Sequence, residues 1–201
     1  GTNIFSVMSG LAVRVGAINL SQGFPNYNPS ARLQRLVMDH MERGDNQYAP
    51  MPGVPLLRER IAGKMEQMYG VKVDPETEIT ITAGATQAIF CVIAAFVRPG
   101  DEVILLEPCY DSYRPSVETV GGTPVIHSLY APDYRVDWKA VQQLITPRTR
   151  MLCINTPQNP TGTILTEADM LSIQDILRGT NVLLMSDEVY EHLIFDGEQH
   201  A

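Results

Sequence analysis

The sequence is poor in cysteine. Only Cys91, Cys109 and Cys153 occur in 201 residues. They are odd in number and none forms a CxxC pair, which excludes a disulfide-framed secreted scaffold and points to a reducing, cytoplasmic setting. Histidine is also scarce. His40, His127, His192 and His200 stand far apart without the spacing of metal ligands, so no metal site is expected. Lysine and arginine nowhere cluster, and the formal net charge is −8. A nucleic-acid or anionic-membrane surface needs a basic patch, so neither partner is expected. The longest apolar run, residues 88–97, is too short to cross a bilayer. The N-terminal residues lack the charged-then-apolar pattern of a secretory signal. No GxGxxG and no Walker loop is found, so a dinucleotide or nucleoside triphosphate site has no support.

What is present is enough apolar residue for a core: 44 % hydrophobic against 19 % charged excludes a disordered chain. Residues 1–28 show little periodicity and read as an arm, with Asn19–Pro25 ordered and ending in a turn. Ser30 is placed to cap a helix reaching about Gly44, with Leu33, Leu36, Val37 and Met41 on one face. A second helix opens at Pro55 and closes at Gly70, with Leu57, Ile61, Met65 and Met68 along one side. From there short apolar runs alternate with helices. Strands are expected at 79–82, 102–106, 123–127, 151–155 and 182–186. Helices are expected at 87–97 (apolar all round, hence buried), from a cap at Asp111, from a cap at Asp137, and from the capping box Thr166-Glu167-Ala168-Asp169. The strands are rich in β-branched residues and lack period-two alternation, as strands covered on both faces do. This predicts an α/β fold, a mostly parallel doubly wound sheet.

In such sheets ligands sit beyond the carboxyl ends of the strands, so the residues following each strand matter most. After 79–82 come Thr82-Ala83-Gly84-Ala85-Thr86-Gln87. Small residues let the backbone approach a ligand, and a helix N-terminus offers N–H groups to an anion; an ordinary strand-to-helix turn reads the same way. After 102–106 comes Glu107-Pro108-Cys109-Tyr110-Asp111-Ser112-Tyr113. Tyr110 can stack on a flat ring or pack on the next helix, whereas Tyr113 reads as core. After 151–155, two prolines and a glycine in Thr156-Pro157-Gln158-Asn159-Pro160-Thr161-Gly162 constrain a turn that holds Asn159. After 182–186, Asp187 offers a carboxylate to a cation, a metal or a ring nitrogen, or else caps a helix. Tyr190 reaches the same spot if the segment turns helically.

These motifs together, GATQ, EPxYxSY, NTPxNPTG and SDEVY in this order, resemble the fold-type I pyridoxal-phosphate (PLP) aminotransferases of class I/II. The branch containing methionine, kynurenine and glutamine transaminases is most similar. The segments INLSQGFPNY and NQYAPMPGVPLLRE resemble that branch too. The resemblance implies a pyridoxal 5'-phosphate cofactor, with Gly84, Ala85 and Thr86 at its phosphate and Tyr110 stacked on its ring. It implies that Asn159 and Tyr190 contact the phenolic oxygen and that Asp187 pairs with the pyridine nitrogen. Tyr48 would reach a partner's cofactor across a homodimer, and Gly23 and Asn159 would lie by the substrate carboxylate. It further implies cis peptides before Pro108 and Pro160. Residues 1–28 would belong to a second, smaller domain and 29–201 to the first part of the PLP-binding large domain.

The implied reaction moves an amino group from an amino acid with a thioether, aromatic or glutamine-like side chain to a 2-oxo acid. Alternatives are a PLP-dependent C–S lyase and a non-catalytic sensor of the same fold. The family's Schiff-base lysine finds no counterpart here. Lys64, Lys72 and Lys139 do not follow a strand near Asp187. The expectation is therefore that this chain is the N-terminal part of a longer enzyme and is itself inactive.

Overall fold

The computed structural model describes residues 4–23, 25 and 27–200. The part of the expected turn at Phe24 lies outside the described residues. The chain forms two compact units, Gly1–Pro50 and Met51–Ala201.

In the first unit, α1 spans Ile4–Val15 and α2 spans Ala31–Glu42. The helix α1 corrects the expectation of an aperiodic arm. Ile4, Val7, Met8, Leu11 and Val15 do follow helical spacing, and apolar Val13 on the opposite side masks it. Ser30 caps α2, its hydroxyl accepting from the Leu33 N–H at 3.4 Å. The apolar stripe of α2 is not buried: Leu33, Leu36, Val37 and Met41 are all exposed. Asn19 closes a tight turn, its Oδ1 accepting from the Ser21 N–H at 3.1 Å.

The second unit opens with α3, Pro55–Tyr69, ended by Gly70 in the left-handed conformation. Then follow α4 (Ala85–Phe96), β1 (Glu102–Glu107), α5 (Tyr113–Thr119) and β2 (Thr123–Ser128). After them come α6 (Trp138–Gln143), β3 (Thr149–Asn155), α7 (Glu167–Leu177) and β4 (Leu183–Asp187). All strand pairs are parallel, in the order β2-β1-β3-β4. The expected caps at Asp137 and Thr166 form, the latter as a complete capping box with Asp169. Helix α5 is instead preceded by Ser112, and no side chain, Asp111 included, caps it.

The sheet is covered on both faces. Val103, Leu105, Met151, Cys153 and Met185 pack with Ile89, Ile93 and Val97 of the α4 segment and Tyr113 and Val117 of α5. Ile104, Leu106, Leu152 and Ile154 pack with Val141 of α6 and Ile173 of α7. Successive strand residues point to opposite faces, which is why neighbours in sequence divide between the two clusters. Each fully buried Leu or Ile here stabilises the fold by about 1.5–3 kcal/mol before entropy is counted.

Two further expectations are corrected. Residues 79–82 form no strand; the Ile81 N–H finds the Pro52 carbonyl at 2.9 Å, and no described strand pairs with them. Helix α4 is buried only through Ile89 and Ile93. Phe90 and Phe96 remain exposed, because α4 has the sheet on one side only. Among the described residues no helix is long and apolar enough to cross a membrane.

Candidate functional site

Strands β1 and β3 are neighbours, but the chain leaves them in opposite directions. From β1 it passes through α5 to the edge strand β2, and from β3 it passes through α7 to the other edge, β4. The crevice at such a reversal is where α/β sheets bind ligands. Here a cavity of about 200 Å³ opens, lined by Ala85, Thr86, Tyr110, Asn155, Asn159, Asp187, Val189 and Tyr190.

Each side chain arrives for a local reason. Gly84 precedes α4 at φ +84°, in open space, and no side chain caps the helix behind it. The N–H groups of the first turn therefore face outward at this edge. The Thr86 hydroxyl lies 3.2 Å from the Tyr110 hydroxyl. Tyr110 follows the stop imposed by Pro108, and its ring meets the Tyr113 ring edge-on with centroids 6.0 Å apart.

The loop after β3 is closed by its own hydrogen bonds. The Thr156 hydroxyl accepts from the Leu165 N–H at 3.0 Å, and Gln158 N–H donates to the Thr163 carbonyl at 2.8 Å. The Gln158 amide also donates to the Pro108 carbonyl at 2.7 Å, tying this loop to the one that carries Tyr110. The peptide bonds before Pro108, Pro132, Pro157 and Pro160 are cis.

Asp187 ends β4 in register with Asn155, the last residue of β3. Its main-chain carbonyl accepts from Asn155 Nδ2 at 2.8 Å and from the Thr156 N–H at 3.1 Å. Its carboxylate accepts from the Tyr113 hydroxyl at 2.7 Å and from the Val189 N–H at 3.2 Å. A turn follows, with the Glu191 N–H donating to the Glu188 carbonyl at 2.9 Å, and this turn brings Tyr190 back to the cavity. Nearby, burial and the charge of Glu107 push the Cys109 thiol up to about 11, and burial raises Cys153 further, so neither is a ready nucleophile.

Of the residues singled out by sequence, Ala85, Thr86, Tyr110, Asn159, Asp187 and Tyr190 line this one cavity, and Gly84 adjoins it as the residue before α4. Gly23 and Tyr48 belong to the first unit, where Tyr48 is fully exposed. Sequence reading missed two residues. Asn155, 7 % exposed, donates to the Asp187 carbonyl while its Oδ1 accepts from the Asn159 N–H at 2.7 Å, linking two lining residues. Tyr113 is core by its ring, as expected, yet its hydroxyl ends on Asp187. The signal for Asn155 was its parity with Met151 and Cys153: a polar residue continuing a buried face. Among the described residues no cluster of His, Cys, Asp or Glu is suited to a metal ion.

Comparison with known proteins agrees with this architecture. The family model described as aminotransferase class I and II matches residues 15–201. Methionine aminotransferase of Escherichia coli is 46 % identical over the whole chain, and a probable N-succinyldiaminopimelate aminotransferase of Mycobacterium tuberculosis is 44 % identical over 99 % of it. The chain spans about half the length of these curated relatives, 52 % and 51 %. The crystal structure of the Escherichia coli protein superposes with a TM-score of 0.95, covering all of this chain and 53 % of its own. Aspartate aminotransferase of Thermus thermophilus, at 31 % identity, gives 0.92, covering all of this chain and 54 % of its own. The chain is a member of the class I and II aminotransferase family.

Proposed function

We propose that the protein carrying this chain is a PLP-dependent aminotransferase, and that the cavity at the β1/β3/β4 ends holds the cofactor. One observation carries the reading: an uncapped helix N-terminus, an aromatic ring, an amide and a carboxylate converge on a single cavity from four separate segments of the chain. The donor set fits the cofactor. The first turn of α4 and the Thr86 hydroxyl suit a phosphate, the face of Tyr110 suits a flat ring, and Asp187 is the one charged group in the lining.

When bound, PLP supplies an electron sink that eases loss of the substrate's α-proton. The chain's own residues serve that chemistry as follows. Ala85 and Thr86 anchor the phosphate, with Gly84 keeping the approach open. Tyr110 holds the ring plane. Asn159 and Tyr190 donate to the phenolic oxygen. Asp187 pairs by charge with a protonated pyridine nitrogen, which an amide at this position would not do. Gly23 and Asn159 serve the substrate carboxylate, and Tyr48 serves the cofactor of a second copy in a homodimer. The fully exposed Tyr48 ring supports that last role.

The substrate is an amino acid with a thioether, aromatic or glutamine-like side chain, and the product is its 2-oxo acid. Similarity to the methionine aminotransferase of Escherichia coli favours the thioether. Residues 1–28 belong to a smaller domain and 29–201 to part of the cofactor-binding one. The free cysteines fit a reducing cytoplasm.

The test is Asp187→Ala in the protein that carries this chain. Transamination of methionine falls by about 10²–10³, as when one preorganised electrostatic partner is removed. Near-wild-type turnover overturns the assignment of Asp187.

A further inference from the structure

Asp187 is half-buried at the end of β4. Among the described residues no lysine, arginine or histidine forms an ion pair with its carboxylate. Its donors are neutral: the Tyr113 phenol at 2.7 Å on Oδ2 and the Val189 N–H at 3.2 Å on Oδ1. A guanidinium in place of the phenol would fix the carboxylate but also neutralise it. A phenol fixes it and leaves the negative charge free to meet a cation in the cavity.

Tyr113 is suited to that task. It opens α5, is 2 % exposed, and packs its ring among Val103, Met151, Cys153 and Met185. A ring so enclosed has no room to swing, so the hydroxyl is delivered to one point. Helix α5 is itself fastened to β1, where Arg114 donates to Glu107 at 2.8 and 3.1 Å. Burial, then the hydrogen bond to Asp187 and its charge, push the phenol far above its ordinary range, so it stays a protonated donor throughout the working pH.

We infer that Tyr113 is a positioning residue, which fixes the rotation of the Asp187 carboxylate toward the cofactor without discharging it. This rests on the proposed pairing of Asp187 with the PLP ring. The competing explanation is that Asp187 simply satisfies a buried hydroxyl of the core.

The two are separated by PLP affinity, measured by titrating the cofactor-free form of the protein that carries this chain. Four variants are compared: Tyr113→Phe, Val117→Ala, Asp187→Ala and the Tyr113→Phe/Asp187→Ala double variant. Tyr113→Phe keeps the ring in the core and deletes one oxygen. It is expected to weaken PLP binding about tenfold, the usual worth of a hydrogen bond to a charged group. Val117→Ala opens the same core cluster, lowers the melting midpoint and leaves PLP affinity unchanged. In the Asp187→Ala background Tyr113→Phe has no further effect, because a residue acting through another is silent once that one is gone. Wild-type PLP affinity in Tyr113→Phe, or an undiminished effect in the double variant, overturns the inference and leaves Tyr113 as packing. If Asp187→Ala itself leaves PLP affinity and turnover unchanged, the reading of the site fails and takes the inference with it.

Discussion

The two faces of the sheet begin alike and end differently. On the α6/α7 face the apolar series of β3 runs through Leu152 to Ile154, which is 2 % exposed. On the α4/α5 face it runs through Met151 and Cys153 and then turns polar at Asn155, which is 7 % exposed. The strand β4 repeats this, Met185 being followed on the same face by Asp187. Burying an amide costs free energy unless its hydrogen bonds are made, and Asn155 makes them on both ends. The contrast teaches where the site is. On the α6/α7 face the central strands β1 and β3 stay apolar as far as Leu106 and Ile154 and serve stability, whereas on the other face β3 and β4 give up their last positions to polar groups that arrange the cavity.

That contrast can be broken at adjacent residues. Ile154→Ala should cost about 2–5 kcal/mol of unfolding free energy, read by urea denaturation, with PLP affinity unaltered. Asn155→Ala should cost less stability but weaken PLP binding by about tenfold, since it frees the Asn159 N–H and one donor to the Asp187 carbonyl. An exchange of these two outcomes would show that the faces have been assigned the wrong tasks.

The smallest effect lies on the α6/α7 side. Trp138 Nε1 donates to Asp169 at 2.7 Å. Burial alone would raise Asp169, but hydrogen bonds from Thr166 and Trp138 outweigh it and hold the carboxyl below its ordinary 3.8. A depressed carboxyl adds stability above its unfolded value and loses it as pH falls through the folded one. Trp138→Phe should therefore be less stable at pH 7 by about 1 kcal/mol. The gap to wild type should narrow below pH 3.8, as shown by paired denaturation curves at neutral and acid pH. A gap independent of pH would mean that Trp138 contributes only packing.

Much of the second unit was legible in the sequence, because its signals are local. Asp137, Thr166 and Gly70 marked helix ends by their own chemistry, and the apolar runs marked four strands. Residues 79–82 depart from expectation for a reason of the opposite kind. Their composition suits a strand, but a strand exists only if a neighbour pairs with it, and pairing is not written in the run itself. Helix α4 was judged from composition, which cannot tell which side the sheet will cover. The bonds of Tyr113 and Asn155 to Asp187 are not legible in the sequence because the partners are distant, 74 and 32 residues apart. Parity assigns a face; register decides who stands opposite.

The loop between β3 and α7 carries a last consequence. Its bonds run from Thr156 to Leu165, from Gln158 to Thr163 and from Gln158 to Pro108, all within the protein. The mould is thus set when the chain folds, and little conformational entropy remains to be lost on capture. Association at this edge should proceed at a rate governed by encounter and orientation, and release should leave the backbone as it was, ready for the next guest.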